Sequence, residues 1–187
     1  QQNHLSRFCP WNTKGYDRVC FVKVELIYRM LSTGHHLLLV DGDIVFRSDP
    51  RVDMRAWWED PVHQVWCQND AMEDRDTTNM CTGYLFLKSS PALAETYNCV
   101  SSAGQARYNR CAFDNNDQTY FNRYVKPVVT MKALPLARYP NGQRFYRYGE
   151  EEGMVLVHFN WVHGHEKMAK MKEHRMWLLT EEEEDSI

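Results

Sequence analysis

The chain has 187 residues, 43% of them hydrophobic, which suits one domain able to bury a core and excludes a disordered chain. Lys and Arg number 22 against 25 Asp and Glu, for a net charge of −3. Five of those acids form the run Glu181 to Asp185, so the acidity is a tail at 181–187 on a near-neutral body without the basic field of a nucleic-acid binder, and small molecules are the expected partners.

No stretch approaches the roughly 20 apolar residues of a membrane helix. The first residues, Gln1 Gln2 Asn3 His4 Leu5, carry no signal-peptide pattern, and the chain reads as a single domain, 1–187, from the interior of a longer protein. Six cysteines (9, 20, 67, 81, 99 and 111) show no CxxC pair or Cys/His zinc spacing. Disulfides such as Cys9 with Cys20 or Cys99 with Cys111 and a set of buried thiols are both compatible with them.

From 16 to 32, Val19, Val22, Leu26, Ile27, Met30 and Leu31 recur at helical spacing, and Gly34 stands where a helix ends in a left-handed residue. The continuous apolar run Leu37 to Val40 then predicts a strand buried on both faces of a parallel sheet. After Ser48 Asp49 Pro50 a short helix is expected through Trp57 and Trp58. Further strands are expected at 62–67, 83–87, 128–131 and 155–159, and helices near 91–101, 117–124 and 167–175. This alternation predicts an α/β fold. The polar stretches 68–80 and 102–116 read as binding loops, and Asn141 Gly142 as a tight turn.

Asp41, Gly42 and Asp43 follow the first apolar run directly. Open α/β sheets bind ligands at strand carboxyl ends, residues i and i+2 of a strand share a side, and Gly42 lets a ligand approach the backbone. Paired carboxylates suit Mg²⁺ or Mn²⁺ bridging a diphosphate. A second cluster, His158, Asn160, His163, Gly164, His165 and Lys167, follows the strand Val155 Leu156 Val157. It offers an imidazole ligand and a cation for a phosphate oxygen. Lys23, Thr82 with Gly83, and Asp117 with Gln118 are weaker candidates. On residue chemistry alone Lys23 reads more often as a snorkelling surface Lys and Thr82 Gly83 as a turn, while Asp117 and Gln118 read equally as a helix start.

Taken in order, these residues resemble the nucleotide-diphospho-sugar transferase family of GT-A glycosyltransferases, including plant cell-wall xylosyl- and arabinosyltransferases. The resemblance runs through Lys23, Leu31 with Gly34, Leu38 to Val40, Asp41 Gly42 Asp43 Ile44 Val45 Phe46 and Asp49 Pro50. It continues with Thr82 Gly83 Tyr84, Lys88 Ser89, Asp117 Gln118, Asn122, Leu134 Pro135, Asn141 Gly142, and His158 Asn160 Trp161 Gly164 Lys167. It implies a Rossmann-like, mixed and mostly parallel sheet flanked by helices. It further implies Asp41, Asp43 and His158 as ligands of Mn²⁺ (or Mg²⁺), with Lys167 on the diphosphate of a nucleotide-sugar donor. Lys23, Asp41, Gly42, Thr82, Gly83, Gln118, Asn160 and Gly164 would line the donor side, and Asp117 would act beside the acceptor or the reacting sugar.

The implied activity is retaining transfer from a UDP-sugar to a hydroxyl of a glycan or glycoprotein, in the Golgi lumen for a eukaryotic member and in the cytoplasm otherwise. Two features depart from the family pattern. Cys81 stands where relatives have Asn, and no strand–helix–strand nucleoside-binding unit precedes Tyr16, so a fragment lacking that unit is expected. The competing readings are a metal-dependent phosphohydrolase, against which Ile44 stands after Asp43 where the haloacid-dehalogenase pattern has Thr, and a non-catalytic glycan-binding remnant.

Overall fold

The Thr13 hydroxyl accepts a hydrogen bond from Tyr16 N (3.3 Å) and caps helix α1 (Lys14–Ser32). This first element, like the rest, is seen in a computed structural model that describes residues 13–111 and 116–180. Gly34 adopts φ +84°, the left-handed conformation expected where α1 ends. The buried stripe of α1 is Cys20, Val24, Ile27 and Leu31. Only Ile27 and Leu31 of the expected apolar set are among them. Val19, Val22, Leu26 and Met30 are exposed, because at 3.6 residues per turn they form a second stripe roughly 120° away from the one that meets the core.

The remaining elements are β1 (Leu37–Val40), β2 (Ile44–Phe46), α2 (Arg51–Glu59), β3 (Val65–Asn69), β4 (Met80–Leu87), α3 (Pro91–Thr96), α4 (Ser102–Asn109), α5 (Asp117–Tyr120), β5 (Met131–Leu134), α6 (Gly142–Tyr148), β6 (Leu156–His158) and α7 (Gly164–Glu173). Helix α5 runs on as a π-helical turn over Phe121–Val125 and a 3-10 turn over Lys126–Val128. Pro127 lies in that last turn, so the strand expected at 128–131 begins at Met131.

The main sheet has the order β1-β4-β3-β5, and β2 pairs with β6 in a second, two-stranded sheet. The architecture is mixed α/β, as expected, but the sheet is not mostly parallel. Strand pairs β1–β4, β3–β4 and β2–β6 are antiparallel, and β3–β5 alone is parallel. Strand β1 is half-buried at the edge of the sheet and not enclosed on both faces. Its apolar run reports contact with neighbours but not their direction.

Two expectations about loops also change. The segment after Ser101 is helical, its first turn capped by the Ser101 hydroxyl on Gly104 N (3.1 Å). Asn141 is not the corner of a tight turn but the cap of α6, accepting from Arg144 N (2.9 Å). The run after Asp43 forms β2, which places Ile44 opposite His158.

Alternation along β3 and β4 divides the interior in two. Val65, Cys67, Leu85 and Leu87 face α1, α3 and Tyr97, while Trp66, Tyr84 and Phe86 face Trp57, Tyr139 and Leu156. Of Trp57, Trp58 and Trp66, all expected in the core, Trp57 and Trp66 are buried there and Trp58 is exposed. Cys20, Cys67, Cys81, Cys99 and Cys111 are buried thiols with no disulfide among them. Cys9, and with it any role in pairing, lies outside the described residues, as does the acidic tail. Ile27 is 1% exposed within the first core, so Ile27→Ala is expected to lower stability by about 2–5 kcal/mol in urea denaturation. A loss under about 1 kcal/mol would mean that α1 is not packed there.

Candidate functional site

Asp41, Gly42 and Asp43 connect β1 to β2 through a turn closed by Ile44 N on Asp41 O (3.3 Å). They do not continue a strand, so strand alternation is not what brings the two carboxylates together. The turn does so, with β6 completing the arrangement. Phe159 N donates to Asp43 O (2.9 Å), and His158 Nε2 lies 3.2 Å from Asp43 Oδ1. One ligand atom each from Asp41, Asp43 and His158 lie within 4.8 Å of one another. Two carboxylates and one imidazole are a donor set that fits Mn²⁺ or Mg²⁺.

Each carboxylate already has an ammonium partner. Lys23 Nζ lies 2.8 Å from Asp41 Oδ1 and 2.7 Å from Asp117 Oδ2, so it is not a surface lysine. Burial lowers the pKa of its ammonium, but Asp117 and then Asp41 reverse that and hold it above the ordinary lysine value. Lys167 Nζ reaches Asp43 Oδ2 at 2.6 Å. Burial alone would raise the Asp43 pKa, yet the bonds to His158 and Lys167 prevail and hold its carboxyl well below the usual carboxylate range. The Thr82 hydroxyl donates to Asp117 Oδ2 (2.5 Å). Lys23 thus ties α1, the Asp41 turn and α5 together, and Thr82 adds β4.

Gly83 lies against the Cε1 side of the His158 ring. A Cβ built on it would lie 2.2 Å from the ring's Cε1, so this glycine is required for close approach and not for a turn. At Gly42 an added Cβ would meet nothing within 4 Å. Asp41, Gly42, Asp43, Thr82, Gly83, Asp117, His158, Gly164 and Lys167 line a cleft of about 750 Å³, whereas Lys23 is not among its lining residues and reaches it only through Asp41 and Asp117. His163 and Gly164 begin α7 at its edge, and Lys167 projects from the first turns of that helix.

The profile of the nucleotide-diphospho-sugar transferase family matches residues 1–176. The chain belongs to this family. No curated protein sequence matches it. Among solved structures, a glycosyltransferase involved in the glycosylation of the major capsid of PBCV-1 superposes with a TM-score of 0.58 at 13% identity, over 89% of this chain and 81% of that one. Mouse xyloside xylosyltransferase 1, apo form, superposes with a TM-score of 0.53 at 15% identity, over 82% and 67%. These likenesses are of fold, and they are GT-A glycosyltransferase folds with a mixed sheet between helices. With the family match they make this chain a glycosyltransferase domain, and of the readings the sequence raised it is sugar transfer that they support. Among the described residues no helix is long and apolar enough to cross a membrane.

Within this nucleotide-diphospho-sugar transferase, Asp70 is the cleft residue that the sequence does not reveal. Its Oδ1 accepts from Asn160 Nδ2 (3.2 Å) and Trp161 Nε1 (3.1 Å), and its Oδ2 from Gln118 Nε2 (2.9 Å) and Asn79 Nδ2 (3.0 Å). Those four bonds use the acceptor sites of a carboxylate, and no ion pair to Asp70 occurs among the described residues. Burial raises its pKa, the hydrogen bonds offsetting only part. Asn160 and Gln118, expected to touch the donor, are thus committed in part to Asp70, and Asn160 Oδ1 also holds Gly142 N (2.6 Å) at the start of α6. Cys81 is 3% exposed, with its Sγ 3.6 Å from His158 Nδ1, and burial pushes its thiol well above the ordinary value.

Proposed function

We propose that this domain transfers a sugar from a UDP-sugar to a hydroxyl of a glycan or glycoprotein, with Mn²⁺ or Mg²⁺ held by Asp41, Asp43 and His158. The observation that carries the reading is the meeting of these three donors with Lys167 and the start of α7 in one cleft. When bound, the cation supplies positive charge against the departing diphosphate. Lys167, swung from Asp43, sets an ammonium beside the phosphate oxygens, and the backbone N–H groups that open α7 at Gly164 favour an anion there. Thr82 and Gly83 shape the donor side of the cleft, and Lys23 holds Asp41 and Asp117 in place beside it.

In a retaining course, the bond from the anomeric carbon to the diphosphate oxygen breaks and the acceptor oxygen bonds to that carbon from the same face. The acceptor proton passes to the departing phosphate oxygen. Asp117, held by Lys23 and Thr82, provides negative charge beside the electron-poor sugar, while Asp70 fixes Asn160, Trp161 and Gln118 around it.

Calorimetric titration of UDP and a panel of UDP-sugars, with and without Mn²⁺, tests the reading on this chain and on Asp43→Ala. Binding is expected to require Mn²⁺ and to weaken at least about tenfold, or 1.4 kcal/mol, in the variant. Binding of equal strength without the metal, or in Asp43→Ala, would overturn the cation assignment. Absence of any nucleotide binding would overturn the donor site in this chain.

A further inference from the structure

His158 is 3% exposed, and its two nitrogens face different surroundings. Nε2 looks toward Asp43, whereas Nδ1 lies 2.7 Å from Oε1 of Gln68. Gln68 is fully buried on β3, immediately after an irregularity in the β3–β4 pairing between Cys67 and Gln68, the kind of place where a strand re-aims a side chain. The two ends of its amide cannot be interchanged. Nε2 of Gln68 donates to two backbone carbonyls, Tyr139 O (3.2 Å) and Pro140 O (2.9 Å). A flipped amide would set its oxygen against both carbonyls and its N–H₂ against the imidazole.

Oε1 can therefore only accept, and a buried acceptor 2.7 Å from Nδ1 requires a proton on that nitrogen. We propose that Gln68 is a positioning residue that keeps the proton of His158 on Nδ1, so that Nε2 is the nitrogen offered to the cation. This rests on the reading of Asp41, Asp43 and His158 as the cation site. The role suits a partner without charge. A carboxylate at this place would add a third negative group beside Asp41 and Asp43, whereas an amide anchored on the chain between β5 and α6 sets tautomer and ring orientation by geometry alone. Gly83 supports the same end by leaving room for the ring.

The first test is nitrogen NMR of histidine-labelled, metal-free wild-type protein, with His158 assigned by the signal missing in His158→Gln. Nδ1 is expected to bear a proton. A neutral ring with its proton on Nε2 and a bare Nδ1, a state in which the Cys81 thiol would be the remaining neighbour to serve Nδ1, would overturn the assignment of Gln68. The second test is Mn²⁺ binding followed by the electron paramagnetic resonance of the free ion. Gln68→Met, similar in length but unable to accept strongly, is expected to weaken Mn²⁺ roughly 10- to 100-fold while keeping the wild-type circular dichroism. Unchanged affinity would overturn the proposal. The wild-type NMR result stands even where the variant folds poorly. Failure of the wild type to bind Mn²⁺ would instead overturn the cation reading, and a bare Nδ1 with Mn²⁺ binding intact would overturn the role of Gln68 alone.

Discussion

Gly83→Ala is expected to lose Mn²⁺ affinity by about tenfold or more and stability by about 1–3 kcal/mol. The added methyl would sit 2.2 Å from Cε1 of His158 and 2.9 Å from each ring nitrogen, closer than any carbon tolerates. The obstacle is not the far end of a flexible chain. It is a buried imidazole held on one nitrogen by Gln68 and facing Asp43 with the other, so relief means turning the ring away from both or moving β4 away from β6. Gly42→Ala is the control, since it adds the same methyl in the same cleft into open space and should leave stability within about 0.5 kcal/mol. Mn²⁺ titration and urea denaturation of the two variants decide the matter. Equal behaviour of the pair would show that His158 does not sit against Gly83.

Lys23→Met is expected to destabilise the metal-free protein by about 2–3 kcal/mol and to make its stability depend strongly on added Mn²⁺. Breaking a buried ion pair from one side costs roughly 3–5 kcal/mol. The lower figure here allows for the partial exposure of the Lys23 and Asp41 side chains, 19% and 36%. Without the ammonium, Asp41 and Asp117 are left near each other with one fewer compensating charge. A divalent cation on Asp41 restores the missing charge, so Mn²⁺ should raise the melting temperature of the variant more than that of wild type. An equal rise in both would mean that Lys23 and the cation do not share Asp41.

The parts of this site that were legible in the sequence are those written locally. An apolar strand ending in Asp41 and Asp43, and a His, Gly and Lys series after a second apolar strand, carry their meaning within a few residues, and the fold brings both to one cleft. Helix α1 was legible by its period, but which of its two apolar stripes goes inside was not, because that depends on the sheet that covers it. Strand direction was equally hidden: Leu37 to Val40 would read the same beside a parallel or an antiparallel neighbour. Asn141 begins turns and helices with the same side-chain bond, which is why α6 looked like a turn. Asp70 and Gln68 lie in the stretch 68–80 that reads as a binding loop, but nothing local singles out either residue. Asp70 is one acid in a polar stretch until Asn160, Trp161, Gln118 and Asn79 converge on it. Gln68 becomes informative only when the carbonyls of Tyr139 and Pro140, more than 70 positions away, settle the direction of its amide.

Trp161 has φ +66°, a left-handed backbone that costs a bulky residue on the order of 1–2 kcal/mol. In return its indole N–H reaches Asp70 and its half-exposed ring stands at the cleft. A campaign to make this domain more heat-resistant would therefore find position 161 early, because glycine there relieves the backbone at once. The same exchange would strip the cleft of an aromatic wall and Asp70 of a donor. At this position relief of the backbone and retention of the cleft wall pull in opposite directions, and a variant chosen by melting temperature alone would give up the bond to Asp70.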